Sequence, residues 1–145
     1  MPFSRFITFT SLAIMATHSL ASSLRIEFQA AMQVVAVHWA GACAGPRLRH
    51  VYRCVTELVH RTDAHRVLFD NRERDIIDQE DAQWVATEAY SAMLAGRSRP
   101  LRLAYVVPPM MHDAYEPGYR QTNGELLQIG LFRRPAEAMV WLLAD

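Results

Sequence analysis

Short apolar runs of strand length alternate with segments of helical period along most of this chain, and that alternation constrains the fold more than any other feature. Val67-Leu68-Phe69 within Arg66 to Asp70, then Leu101 to Val107, then Leu126 to Phe132 read as strands. A segment that reads as helical separates each from the next. A chain that returns to a strand after each helix lays those strands parallel, with the helices covering the sheet. The last fourteen residues show the unit most compactly. Phe132 is delivered straight into a closing helix, with Pro135 at its first position, Glu137 in its first turn, and Ala138, Trp141 and Leu142 on one face.

Upstream, Leu24 to Gln29 and Met32 to Trp39 are separated only by Ala30-Ala31 and read as an antiparallel pair joined by a tight turn. The turn cluster Gly41 to Pro46 leads into the clearest helix, with Leu48, Val51, Tyr52, Val55, Leu58 and Val59 at helical spacing. A second helix is expected from about Asp78 to Met93. Its inward stripe is Ala82, Val85, Ala86, Ala89, Ala92 and Met93, with Trp84 and Tyr90 on the flanks. Met110 to Gln121 reads as an irregular third helix, interrupted at Pro117-Gly118 and ended by Asn123-Gly124. The order is therefore β-β-α-β-α-β-α-β-α. It describes a single α/β domain over 22–145, a mixed sheet of about five strands covered by helices.

Fifteen basic and fifteen acidic residues give a formal charge of zero, which supplies no global attraction to nucleic acid. Every basic residue is arginine. The absence of lysine excludes a P-loop, a Schiff-base enzyme and a receiver-type phospho-acceptor pocket. Cys43 and Cys54 are too few for a disulfide framework and are expected to be reduced.

Residues 1–21 stand apart. Arg5, the apolar run Phe6 to Ala16 and Ser19-Leu20-Ala21 resemble a secretory signal, but Thr8, Thr10 and Ser11 dilute the run. A disordered extension, or a start-site artefact with Met15 as the initiator, is the leading reading. The domain is then cytoplasmic, and exported if the leader is cleaved. The run is too short to span a bilayer, so no transmembrane segment is expected.

The succession of elements, with Phe132-x-x-x-x-Glu137-Ala138-x-x-Trp141-Leu142 at its close, resembles the SpoIIAA-like group of the STAS superfamily. Relatives in that superfamily include anti-sigma-factor antagonists and the cytoplasmic tails of sulfate transporters, with a kinship to SEC14-type lipid-binding domains. The resemblance implies a non-catalytic binding or regulatory domain. It also implies a switch segment after the central strand, where antagonists carry a phosphorylatable serine. This chain has Asp70-Asn71-Arg72-Glu73-Arg74-Asp75-Ile76-Ile77-Asp78 there, without Ser or Thr. Asp70 is the candidate at that position. Arg134, in turn, stands where relatives offer an Asp or Ser to cap the last helix.

No residue set announces a reaction. Asp70, Asp75, Asp78, Glu80 and Asp81 form the densest acidic run, and the competing enzymatic reading is a small hydrolase or metal-dependent enzyme centred on Asp70 and Asp75. It requires those carboxylates to converge on one pocket. His50 and Cys54, one helical turn apart, and Cys43 could imitate a metal site, but the histidines lack paired spacing, so no metal or cofactor is expected. Arg47, Arg49 and Arg53 lie on or beside the polar face of the first helix, suited to phosphate or an acidic partner or simply solvated. The candidate ligand or partner surface is Trp84, Tyr90, Met110, Met111, Tyr115 and Tyr119, gathered between the second and third helices. It would take a protein partner, a second copy of the chain, or a lipid-like molecule. A secreted ligand carrier is the remaining alternative.

Overall fold

The computed structural model describes residues 22–112 and 124–144, together with the short strand Phe6–Thr8. The strands are β1 (Phe6–Thr8), β2 (Ser22–Gln29), β3 (Val34–Gly41), β4 (Arg66–Arg74), β5 (Leu101–Val106) and β6 (Leu127–Phe132), hydrogen-bonded in that order in one sheet. β1, β2 and β3 pair antiparallel, whereas β3, β4, β5 and β6 run parallel. The five expected strands are thus present in a mixed α/β sheet. β1 adds a sixth from within the leader, where Phe6 to Thr8 face Glu27 to Gln29.

Helix α1 (Pro46–Thr62) buries Leu48, Val51, Tyr52, Cys54, Val55, Leu58 and Val59. Helix α2 starts as Gln79–Trp84, widens into a π-helical turn at Val85–Ala89 and resumes as Tyr90–Leu94. Both pack on one face of the sheet, over Val35, Val37, Val67, Phe69, Leu103 and Tyr105. Helix α3 (Pro135–Leu143) covers the opposite face, where Ala138 and Leu142 meet Val34, Leu68, Ala104 and Val106. Strand residues divide between the two layers because successive side chains point to opposite faces.

The hairpin turn is longer than the expected Ala30-Ala31. β2 ends at Gln29 and β3 begins at Val34, so four residues make the connection, with Gln33 left-handed at φ 56°. A two-residue turn needs left-handed backbone at its central positions, which alanine resists. Here the left-handed residue is Gln33, whose amide Nε2 donates to Ala30 O at 3.1 Å.

β4 also outruns its expected end at Asp70. Past an irregularity in the register, Glu73 and Arg74 pair with Ala40 and Gly41 of β3, so Asp70 is a mid-strand residue. The polar Asn71-Arg72-Glu73-Arg74 has little strand character of its own, and pairing to β3 overrides that.

In α2 the buried positions are Asp81, Val85, Ala89, Tyr90 and Met93, while Ala82, Ala86 and Ala92 are exposed. The expected stripe was therefore out of phase. Alanine carries little burial preference, and the i→i+5 turn shifts the second half of the helix relative to a regular 3.6 period.

Two helix ends are completed by other elements. α1 has no side-chain cap of its own and no acidic residue in its first turn. The buried carboxylate of Asp81 supplies one, its Oδ2 accepting from Gly45 N at 3.0 Å. At the carboxyl end of α3, Arg66 donates through Nε to Leu142 O at 2.8 Å, and Arg102 through NH1 to Trp141 O at 2.9 Å and Ala144 O at 2.6 Å. These guanidinium groups oppose the negative end of the helix dipole, which α3 lacks a basic residue to do for itself. At its start, Arg134 makes no side-chain cap, as expected.

Candidate functional site

α1 and α2 lie side by side and leave an open groove of about 380 Å³, lined by Tyr52, Arg53, Thr56, Glu57, Trp84, Glu88, Ala89 and Ala92. Trp84 is its aromatic anchor. The indole is half-buried, meets Tyr52 edge-on at 6.4 Å between ring centroids, and lies under the guanidinium groups of Arg49 at 5.3 Å and Arg53 at 6.0 Å. Both arginines are within cation–π reach, an attraction that holds the indole in place and sets positive charge beside it. Glu57 and Glu88 bring the opposite sign to the same groove.

Beneath Trp84 the aromatic contacts continue into the core. Tyr52 packs on Phe69 at 5.2 Å, and Phe69 stacks on Tyr105 at 4.7 Å. The hydroxyl of Tyr105 sits 2.8 Å from that of Tyr52 and 2.8 Å from that of Tyr90, a buried chain of three phenols. Burial, more than any neighbouring charge, pushes the Tyr52 hydroxyl above its ordinary pKa, so it stays protonated. The phenol at the base of the groove is therefore a neutral hydroxyl.

The expected surface residues divide. Trp84 lines the groove, but its companion helix is α1. Tyr90, expected on a flank, is 5% exposed and belongs to the core. Met110 is 84% exposed and Met111 is half-buried, within the helical turn 109–112, and neither lines this groove. Tyr115 and Tyr119, with most of the expected third helix, lie outside the described residues. Sequence reasoning missed Tyr52, Glu57 and Glu88 as groove residues and Tyr105 as the centre of the phenol chain. Tyr52, Arg53 and Glu57 are spaced along one stretch of α1, but nothing in the sequence reveals which neighbour that stretch faces.

The acidic run scatters. Asp70 is register-paired with His38 and lies 3.7 Å from His38 Nδ1; Arg72 clamps it through Nε at 2.9 Å and NH2 at 2.7 Å. Burial alone would raise the Asp70 pKa, but the hydrogen bonds from Arg72 and His38 outweigh it and hold the carboxyl well below the usual carboxylate range. Asp75 is exposed, and its carbonyl accepts from Cys43 Sγ at 3.2 Å. Asp78 caps α2 by accepting from Asp81 N at 2.8 Å, and Asp81 itself caps α1. Asp70 and Asp75 thus have different surroundings, Asp70 clamped by Arg72 beside His38 and Asp75 exposed.

Cys43 and Cys54 are separate buried thiols. Burial raises the Cys43 pKa, leaving a protonated thiol. Cys54 Sγ contacts His50 Nε2 at 3.6 Å, yet among the described residues no group of three or more His, Cys, Asp or Glu is placed to hold a metal ion. Nor is any helix among them long and apolar enough to cross a membrane. In comparisons with family models and with curated proteins, no family model and no curated protein matches the chain.

Proposed function

We propose that the chain is a non-catalytic, STAS-like binding or regulatory domain that engages a protein partner through the groove between α1 and α2. The observation that carries this reading is Trp84, half-buried between the two helices, flanked by Arg49 and Arg53, with Glu57 and Glu88 in the same groove. An aromatic anchor set among charges of both signs suits an amphipathic segment of another protein, whose apolar side chains cover the indole while its polar ones meet the rim. A lipid-like ligand asks for a more enclosed, more apolar cavity, one that covers most of the ligand's surface. The segment after the central strand supports a constitutive rather than a phosphorylation-switched domain: it carries no Ser or Thr, and its first part, to Arg74, is strand paired with β3 through Asp70, Glu73 and Arg74.

Native mass spectrometry of the full chain purified from its own cells tests the proposal. A heteromeric mass that survives in the wild type and is lost in Trp84→Ala is the expected result. A copurified adduct of lipid mass would favour the lipid-like ligand instead, and a bare monomer in both preparations would contradict the partner reading.

A further inference from the structure

A second concave site lies at the amino ends of β4, β5 and β6, sharing no residue with the groove. It is a pocket of about 280 Å³ lined by His65, Arg66, Arg99, Pro100, Arg102, Gln128, Leu142 and Ala144. The parallel register builds it, placing Arg66 beside Arg102 and Arg102 beside Gln128 on adjacent strands. We propose that this pocket binds a phosphoryl group carried on a small molecule, gripped by Arg66, Arg99 and Arg102.

The charge balance carries the argument. Capping the carboxyl end of α3 answers a helix dipole equivalent to roughly half a negative charge. Three guanidinium groups bring three positive charges to the same place. Asp63 is the one carboxylate paired there among the described residues; it lies 4.0 Å from Arg99 and is almost fully exposed. Among the described residues, a surplus of about two positive charges is left facing the pocket.

Donors remain as well. The capping bonds use Nε of Arg66 and NH1 of Arg102, while Arg66 NH1 donates to Met32 O at 2.7 Å and Arg102 Nε to Gln128 Oε1 at 3.0 Å. The NH2 groups of both arginines and the Gln128 amide nitrogen have no partner among the described residues. His65 accepts through Nδ1 from Arg99 NH2 at 3.2 Å, so its other nitrogen is an N–H donor. Burial, followed by the charges of Arg66, Arg99 and Arg97, lowers the His65 pKa and keeps the ring neutral. A tetrahedral, multiply charged anion matches these forked donors, and the arginine fork is geometrically suited to phosphate oxygens.

Titration calorimetry with inorganic pyrophosphate, against chloride at matched ionic strength, tests this. Arg99→Ala is the informative variant, because Arg99 is exposed and caps no helix, and loss of its long contact to Asp63 costs little stability. Saturable pyrophosphate binding, weakened about tenfold or more in Arg99→Ala and unchanged in Arg25→Ala, is the expected result. Equal weakening in both variants, or no binding, would overturn the proposal. Sedimentation with phosphatidic acid vesicles separates the sources of the phosphoryl group. Pelleting that Arg99→Ala abolishes assigns a lipid headgroup, and calorimetric binding without pelleting assigns a soluble phosphate.

Discussion

Tyr105 holds the middle hydroxyl of the buried phenol chain, so its loss affects two partners at once. Tyr105→Phe is expected to cost about 1–3 kcal/mol in urea unfolding, because it strands polar groups that burial has already removed from water. Tyr90→Phe, at one end of the chain, is expected to cost less. Asp70 makes a prediction about pH. Its folded pKa lies below its unfolded value of about 3.9, so the clamp by Arg72 contributes stability that is fully present above pH ~4 and drains away as pH falls further. The unfolded state binds more protons in that range. Denaturation curves of the wild type and Asp70→Asn should therefore converge as pH drops from about 5 to 2, with the wild type more stable at the upper end by about 1.5–3 kcal/mol. A constant gap across that range would show that the clamp contributes nothing through ionisation.

At the level of elements, the start of α1 and the end of α3 depend on residues from elsewhere in the chain. Asp81→Ala removes the acceptor at Gly45 N and should destabilise the protein by about 1–2 kcal/mol, with faster amide exchange in the first turn of α1. Arg102→Ala removes the bonds to Trp141 O and Ala144 O and should loosen the last turn of α3, read as amide exchange there. What could be read from the sequence follows the same division. α1 was legible because six apolar residues repeat without interruption, and all six are buried. α2 was legible as a helix but not in phase, since its alanines look alike from every side and its π-helical turn leaves no sequence mark. That is why the sequence pattern puts Tyr90 on an exposed flank, whereas the fold buries it in the core.

For the whole molecule, the alternation of strand and helix was enough to predict the parallel β3–β6 sheet and its helical layers, because chain connectivity and handedness allow few other arrangements. The sites were not legible in the same way. Trp84 could be singled out as an aromatic on a helix flank, but its neighbours Tyr52, Arg53 and Glu57 come from a helix some thirty residues earlier, brought beside it only by packing. His65, Arg66, Arg99 and Arg102 are unremarkable in a chain whose basic residues are all arginine, and strand register alone makes them a cluster. Whether the α1–α2 groove is the surface that engages the proposed partner can be read by site-specific photocrosslinking in the native cells. The photoreactive residue would stand at Thr56 or Glu88 in the groove and at the exposed Val140 of α3 as the comparison. A discrete protein adduct is expected from both groove positions, absent from Val140 and lost when Trp84→Ala is added. Adducts of equal yield from Val140, or none from the groove, would contradict the partner reading.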